Sequence, residues 1–150
     1  MEQQPQPLPP LLKRLAQIFI LVAIVGLIDA TYLSVQKFSG ATIPCFVGGS
    51  CDIVTSSRFS EFFGIPISLF GALYYLTVVI FVSRFLDKRL KKLMIAAIVL
   101  ASVGFLVSLL LLYVQAFVLH AYCLYCLLSA GTSTLLFILG MAILRQIKKY

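Results

Sequence analysis

The chain has 150 residues, of which 61% are hydrophobic and only 11% are charged. A mean hydropathy of +1.07 excludes an ordinary soluble domain, because so few polar side chains could not cover so large an apolar surface. The formal net charge of +7 would suit nucleic-acid binding, but the basic residues flank apolar segments and leave no basic face to carry it. The composition instead indicates a membrane protein whose positive charges lie against anionic lipid head groups.

The chain begins with a polar, proline-rich stretch over residues 1–10, which predicts a disordered tail. Lys13 and Arg14 then precede a long apolar run, as in a secretory signal peptide. No cleavage motif of small residues follows this run. We therefore interpret it as an uncleaved first membrane helix.

Four apolar segments are long enough to cross a bilayer, which needs about 20 helical residues for roughly 30 Å of hydrocarbon. Backbone groups in lipid must be hydrogen-bonded internally, so these segments are expected to be helices. The third is the longest and is expected to tilt or to project beyond the bilayer. The sequence predicts an all-α, integral membrane four-helix bundle, a single domain over residues 1–150, with transmembrane helices at roughly 11–35, 65–82, 93–119 and 122–144.

The longest loop, residues 37–64, joins the first two helices. Within it, Phe59, Phe62 and Phe63 have the spacing i, i+3, i+4, which predicts a short amphipathic helix in the membrane interface that caps the bundle. We expect Gly64 to end this helix and Pro66 to lie in the first turn of the second membrane helix. The amphipathic helix is open to two interpretations, a lid over a buried site or an interface anchor with no catalytic part.

Positive charge is distributed unevenly along the chain. Of its 12 Lys and Arg residues, only Lys37 and Arg58 lie in the long loop. The positive-inside rule therefore predicts a multi-pass protein of the cytoplasmic membrane, with both termini and the middle turn in the cytoplasm. The ten residues on that side are Lys13, Arg14, Arg84, Lys88, Arg89, Lys91, Lys92, Arg145, Lys148 and Lys149.

All four cysteines then fall on the outer side, in two pairs. Cys45 and Cys51 lie in the long loop, where Gly48 and Gly49 between them give the backbone freedom. Cys123 and Cys126 form a Cys-x-x-Cys motif at the outer start of the fourth helix. Disulfides persist in this compartment, so the pattern predicts a thiol relay from a soluble partner to an oxidant in the bilayer. A membrane quinone, ubiquinone or menaquinone, is the obvious two-electron oxidant.

Helix geometry separates the roles of the second pair. Residues i and i+3 share a helix face and differ by about 4.5 Å in depth. The shallower Cys123 is expected to meet a loop cysteine, and the deeper Cys126 to meet the oxidant, while the helix N-terminus favours thiolate. Ser129 and Ser133 continue the face of Cys126. They could border a small polar cavity, or they could simply allow tight helix packing.

Two ionisable residues have open roles. Asp29 lies near the outer end of the first helix, where it could handle protons or lie in the interface. His120 precedes Cys123 by three residues. It could raise the thiolate character of that cysteine, or it could be a solvated turn residue.

Several motifs occur together in this four-helix chain: Cys45 and Cys51, the segment 51–58 that contains Ser57, Gly64-Ile65-Pro66 before the second helix, Phe70-Gly71 within it, and Cys123-Leu124-Tyr125-Cys126. With this combination the chain resembles the vitamin K epoxide reductase family, specifically its short bacterial members without a fused thioredoxin-like domain. The resemblance covers most of the chain, from the first helix to the fourth. It implies a membrane thiol–quinone oxidoreductase that supports disulfide bond formation and needs no metal.

The resemblance also implies a role for each matching residue. Cys126 would be the quinone-reactive thiol, forming a charge-transfer or covalent adduct, and Cys123 would complete its disulfide. Cys51 would attack that disulfide at Cys123, and Cys45 would exchange with a thioredoxin-like or DsbA-like extracytoplasmic partner. Ser57 would help to shape the quinone site.

Two positions depart from the vertebrate members of the family, which have an asparagine early in the second helix and a tyrosine one turn after the Cys-x-x-Cys motif. The corresponding residues here are Ile67 and Ala130. These departures argue against epoxide reduction and leave thiol-to-quinone electron transfer intact.

Two alternatives stay open. The separate DsbB-type family of disulfide oxidases shares the chemistry, but its Cys-x-x-Cys motif comes near the end of the first segment and ahead of the second pair. The other alternative is a non-enzymatic membrane protein in which Cys45, Cys51, Cys123 and Cys126 bind structural zinc or form structural disulfides. Only one pair has the spacing of a zinc knuckle, and an oxidising compartment opposes thiolate ligation.

Overall fold

The structure, a computed structural model, describes residues 7–44 and 51–149. Most of the proline-rich tail therefore lies outside the described residues, as do Cys45, Gly48 and Gly49. In the described part, helix α1 is Pro10–Ser39 and the short helix α2 is Cys51–Ser56. Helices α3, α4 and α5 are Ile67–Lys88, Lys91–Tyr113 and Leu124–Lys149. A π-helical turn, Val114–Leu119, extends α4.

The predicted bundle of four membrane helices is confirmed, since α1, α3, α4 with its π-helical turn, and α5 are each long and apolar enough to span a bilayer. Each of the four continues past at least one predicted boundary into polar or charged residues, because helical hydrogen bonding does not stop where the hydrocarbon does. Helix α1 ends where Gly40 adopts a left-handed conformation with φ 65°. Arg89 does the same after α3 with φ 55°, so a two-residue connection reverses the chain into α4.

Contacts at three levels show that neighbouring helices run in opposite directions. Near the basic end, Gly140 of α5 lies against Ile98 of α4 and Phe19 of α1. Higher up, the rings of Phe105 and Phe137 stack at 4.7 Å between their centroids. Nearest the outer end, the ring of Tyr75 in α3 packs against Gly26 of α1 and bonds to α5 through its hydroxyl. The fully buried core of the bundle contains Phe19, Tyr75, Phe85, Met94, Leu136 and Ile143.

The outward faces of the helices are as apolar as the core. Large hydrophobic side chains such as Leu21, Ile28, Leu106 and Leu110 are exposed by more than half of their surface. In water such a surface would drive aggregation, whereas hydrocarbon chains solvate it. The outward faces therefore agree with a bundle that is surrounded by lipid.

The prediction of an amphipathic helix over Ser57–Phe63 is wrong in its position. A short helix does lie in the outer loop, but it is α2. After it, a 3₁₀ turn spans Arg58–Ser60, and strand β1, Glu61–Phe62, pairs antiparallel with strand β2, Ile65–Pro66. Phe63 and Gly64 form the two-residue hairpin turn with φ of 52° and 77°. Two consecutive positive φ values suit this kind of hairpin turn and are incompatible with a helix.

The outer end of α4 changes geometry before the chain turns back. The π-helical turn closes at His120, which has a left-handed φ of 48°. Helix α5 then begins at Leu124 rather than at the predicted residue 122. Cys123 is therefore the residue that precedes the helix, and its carbonyl accepts the first helical hydrogen bond from the Leu127 N–H at 3.0 Å.

Candidate active site: two thiol pairs beside an apolar cavity

Cys51 is the first residue of α2, and its side chain is completely buried, with 0% exposure. Its sulfur takes part in a disulfide bond. Cys45, the other predicted cysteine of the loop, lies outside the described residues. Two hydrogen bonds from neighbouring parts of the chain hold α2 in place. The Ile43 N–H donates to Oδ1 of Asp52 at 3.2 Å, and the Lys37 ammonium donates to the Thr55 carbonyl at 2.7 Å.

Lys37 connects α1 to the rest of the outer loop as well. Its ammonium lies 3.1 Å from the Glu61 carboxylate in the hairpin and 3.4 Å from Oγ of Ser60. The ion pair is partly exposed, so its own contribution to stability is small, roughly 0–1 kcal/mol. The main effect of Lys37 is to position the loop, because this one side chain links α2, the 3₁₀ turn and the hairpin to the end of α1.

Cys123 and Cys126 are free thiols. Cys123 occupies the N-cap position of α5. Hydrogen bonding from the Cys126 thiol, helped by the backbone N–H groups of Cys126 and Tyr125, lowers the pKa of Cys123 from 9.0 to about 7, although burial opposes the charged form. The thiolate of Cys123 therefore predominates only above neutral pH.

The structure brings Cys51 and Cys123 together. Both are completely buried, and both belong to one apolar cluster at the outer end of the bundle. The cluster packs α1 and the outer loop against the connection between the π-helical turn and α5. Its other buried members are Leu33, Ile43, Val54 and Ala121.

Cys126 lies between that cluster and a cavity of ≈ 380 Å³. The cavity is bordered by α1, α3, α4 and α5, and residues of the loop between α1 and α3 also line it. Ser57, the predicted quinone-site serine, also lines it, but its hydroxyl already donates to the Val54 carbonyl at 2.7 Å. The lining is mainly apolar, and a volume of this size falls in the range of small-molecule sites, about 300–1,000 Å³.

The two positions that depart from the vertebrate pattern face the same cavity. Ile67 begins α3 and Ala130 lies in α5, and both contribute apolar surface to the lining. Ser129 lines the cavity too, whereas Ser133 is buried in the helix interface. The hydroxyl of Tyr75 bonds to both serines, at 3.2 and 3.0 Å. The serines therefore serve helix packing, and Ser129 borders the cavity in addition.

Gln115 is a site residue that the sequence analysis missed. It lies in the π-helical turn, is only 3% exposed, and lines the cavity. Its side-chain oxygen accepts a hydrogen bond from the Cys123 N–H at 3.1 Å. A signal was present, because a lone amide inside the long apolar segment Lys91–Leu119 must find polar partners within the bundle.

Asp29 and His120 have different environments. Asp29 is buried inside the bundle, with 5% exposure, and neither carboxyl oxygen has a hydrogen-bond partner among the residues that the structure describes. It lies near enough to Cys123 and Cys126 to act on both thiols electrostatically. His120 is exposed at the end of the π-helical turn, as expected of a solvated turn residue.

Within the ranges 7–44 and 51–149, no group of three or more His, Cys, Asp or Glu side chains could hold a metal ion. A four-helix membrane bundle that places a free thiol of a Cys-x-x-Cys pair beside a mainly apolar cavity defines a class of protein, the membrane-embedded thiol oxidoreductases.

The comparison with family models identifies the particular family. The model of the vitamin K epoxide reductase family matches residues 17–141, and the chain belongs to that family. The chain is thus a short, multi-pass membrane protein of a family of thiol–quinone oxidoreductases, which generally work with a thioredoxin-like partner. A search of curated proteins found no significant match.

Proposed function

We propose that this protein carries electrons from an extracytoplasmic thioredoxin-like or DsbA-like protein, through two cysteine pairs, to a membrane quinone. The observation that carries the proposal is the placement of Cys126 between the buried Cys51–Cys123 cluster and the cavity. Among the described cysteines, Cys126 lines the cavity, whereas Cys51 and Cys123 do not. The buried cluster supplies the step between the pairs.

The outer step exchanges a disulfide with the partner. The reduced partner attacks a Cys45–Cys51 disulfide, becomes oxidised itself, and leaves both loop cysteines as thiols. The burial of Cys51 supports attack at Cys45, because a soluble protein cannot reach the Cys51 sulfur while α2 stays in place.

The middle step moves the disulfide between the pairs. The Cys51 thiolate attacks the Cys123–Cys126 disulfide at Cys123, and Cys126 leaves as the thiolate. Cys45 then attacks Cys51 in the mixed disulfide, which restores the Cys45–Cys51 disulfide and releases Cys123. The hydrogen bonds that favour a thiolate at Cys123 make it a good leaving group in this second exchange.

The inner step reduces the quinone. The two electrons of the Cys123–Cys126 dithiol pass to the quinone as the disulfide forms, and the two thiol protons balance the two that the departing hydroquinone carries. Cys123 can take the proton of the Cys126 thiol along the hydrogen bond between them, so that Cys126 faces the cavity as a nucleophile. The apolar lining suits a quinone ring and excludes water from the reacting atoms.

Zinc binding by the four cysteines is the weaker function. Zinc takes thiolates as ligands, whereas the sulfur of Cys51 is committed to a disulfide. The free thiols at Cys123 and Cys126 and the cavity beside them favour redox exchange instead.

Anaerobic mixing of the purified, reduced protein with ubiquinone or menaquinone analogues tests the proposal. Quinone absorbance should fall catalytically when a reduced DsbA-like donor is supplied, and only stoichiometrically without it. The Cys51→Ala variant should give the stoichiometric phase alone. No reduction by the wild-type protein would refute the function, and consumption of the quinone epoxide in the same assay would show that Ile67 and Ala130 do not exclude that substrate.

A further inference from the structure

The N-terminus of α5 has the geometry of a capping box built from sulfur. In a capping box, the N-cap side chain accepts the N–H of the third helical residue, and that residue's side chain returns a bond to the N-cap N–H. Here Cys123 is the N-cap residue and Cys126 is the third helical residue. The Cys126 N–H corresponds to the first half, because hydrogen bonding from it contributes to the lowered pKa of the Cys123 thiol.

The second half of the box comes from another helix. A thiol is a weak hydrogen-bond acceptor, so Cys126 is poorly suited to return a bond to the Cys123 N–H. Gln115 supplies that bond instead, from the π-helical turn, with its side-chain oxygen 3.1 Å from the Cys123 nitrogen. The Cys126 side chain is thereby left free to border the cavity.

Gln115 is itself held firmly. Its backbone carbonyl accepts hydrogen bonds from the N–H groups of His120 and Ala121, the latter at 3.1 Å. These bonds close the π-helical turn and fix the start of the connection that leads to Cys123. Single π-helical turns occur often at functional sites, because they re-aim side chains within a helix. The same residue thus sets the path of the connection and completes the cap of the next helix.

We infer that Gln115 is the positioning residue of the redox-active dithiol: it completes the cap of α5 in place of Cys126 and so holds Cys123 as the hydrogen-bonded sulfur while Cys126 stays free to face the cavity. The inference rests on the proposed function for its meaning, but the geometry that it describes does not involve the quinone.

Loss of the acceptor oxygen would leave the Cys123 N–H buried without a partner. The first turn of α5 would then relax until water or the Cys126 thiol reached that N–H. Either change weakens the hydrogen bonds that stabilise the Cys123 thiolate. Because these bonds stabilise the reduced pair and not the disulfide, their loss should make the Cys123–Cys126 pair easier to oxidise.

The test compares two variants. Gln115→Met replaces the glutamine by a side chain of similar volume that has no amide oxygen. Gln17→Met makes the same replacement at an exposed glutamine in the first half of α1 and is the control. Both full-length variants are equilibrated in glutathione redox buffers, and the Cys123–Cys126 disulfide is quantified by mass spectrometry. Gln115→Met should shift the equilibrium about tenfold toward the disulfide, or about 30 mV. It should also raise the pH midpoint at which the ultraviolet absorbance of the Cys123 thiolate appears, and Gln17→Met should change neither.

Quinone turnover is measured in parallel, to distinguish a role of Gln115 in positioning the dithiol from a role in shaping the cavity. Slower turnover in Gln115→Met with an unchanged potential and midpoint would overturn the inference, because Gln115 would then only shape the cavity. If Gln115→Met does not fold, Gln115→Asn takes its place, since the shorter side chain keeps the amide but moves its oxygen away from the Cys123 N–H. Gln115→Asn should shift both the redox potential of the pair and the pH midpoint of Cys123. A midpoint equal to that of the wild-type protein would overturn the inference. Failure of the wild-type protein to reduce quinone would refute the relay and leave these thiol measurements standing.

Discussion

The Cys51 and Cys123 sulfurs lie in one buried cluster, although 72 residues separate them in the sequence. Leu33 of α1 and Val54 of α2 contribute to the same cluster, so water is excluded from both sulfurs. In the proposed relay, exchange between the two cysteine pairs would take place inside this cluster, where soluble thiols do not compete.

The first prediction concerns Cys126→Ser. Quinone reduction should fall to background, because the sulfur beside the cavity is lost. A Cys51–Cys123 disulfide should still form, since the buried cluster is unchanged, and it should be seen in non-reducing peptide maps. The matched variant Cys123→Ser should lose that disulfide while Cys126 keeps its place beside the cavity. Full quinone activity in Cys126→Ser would show that another residue contacts the quinone.

The second prediction is a pH dependence. The pKa of Cys123 is lowered to about 7, so the thiolate predominates above neutral pH and the thiol below it. Since the thiolate absorbs ultraviolet light that the thiol does not, the thiolate absorbance of the reduced protein should fall as the pH drops below that value. Cys126→Ala removes the main cause of the shift, so the midpoint should move upward toward the ordinary 9.0. An unchanged midpoint would mean that the helix N–H groups alone stabilise the thiolate.

The third prediction concerns Asp29, whose buried carboxyl has no hydrogen-bond partner among the described residues. Asp29→Leu, of similar size, removes an unsatisfied polar group and should raise the free energy of unfolding by about 1–3 kcal/mol. Thermal unfolding in detergent should show a higher Tm. If the carboxyl takes part in proton transfer at the nearby thiols, the relay should slow in the same variant. A lower Tm would indicate that the carboxyl has a partner which the substitution removes.

Much of the bundle can be predicted because lipid imposes few solutions. A segment of about 20 apolar residues must be helical, and the basic residues decide which ends lie together. The helix ends are less predictable, since Ser39 and Lys88 continue helices beyond the apolar runs. Those ends depend on left-handed residues at Gly40 and Arg89, and an arginine gives no signal for that conformation.

The structure of the loop between α1 and α3 and of the cap of α5 does not follow from apolar segment length or from the distribution of basic residues. The aromatic spacing of Phe59, Phe62 and Phe63 fits a helix, but Gly64 favours a hairpin turn, and the turn with its strand pairing prevails. The role of Gln115 depends on a π-helical turn that brings it beside Cys123. No periodicity in the sequence predicts that turn, so the sequence indicates Gln115 as a buried amide but not as the hydrogen-bond partner of Cys123.

The fourth prediction concerns orientation. The ten basic residues named above should lie in the cytoplasm and the loop cysteines outside, because lysine and arginine are retained on the inner side. On intact cells, an impermeant thiol reagent should label a variant with Cys45 as its single cysteine. It should not label a variant in which the single cysteine replaces Lys88. The opposite pattern would invert the topology and remove the partner's access to the relay.

The last prediction orders the two loop cysteines. Cys51 is buried at the start of α2, and Asp52 and Thr55 tie that helix to the segment before it and to α1. In the proposed relay, a soluble partner should therefore attack the loop disulfide at Cys45, with Cys51 as the leaving thiol. With Cys51→Ala the resolving thiol is gone, so Cys45 should accumulate as a mixed disulfide with the DsbA-like partner. Cys45→Ala should show far less of it, because its remaining loop thiol is enclosed. Non-reducing gels of the two membranes make the comparison, and a mixed disulfide trapped on Cys51 would reverse the order.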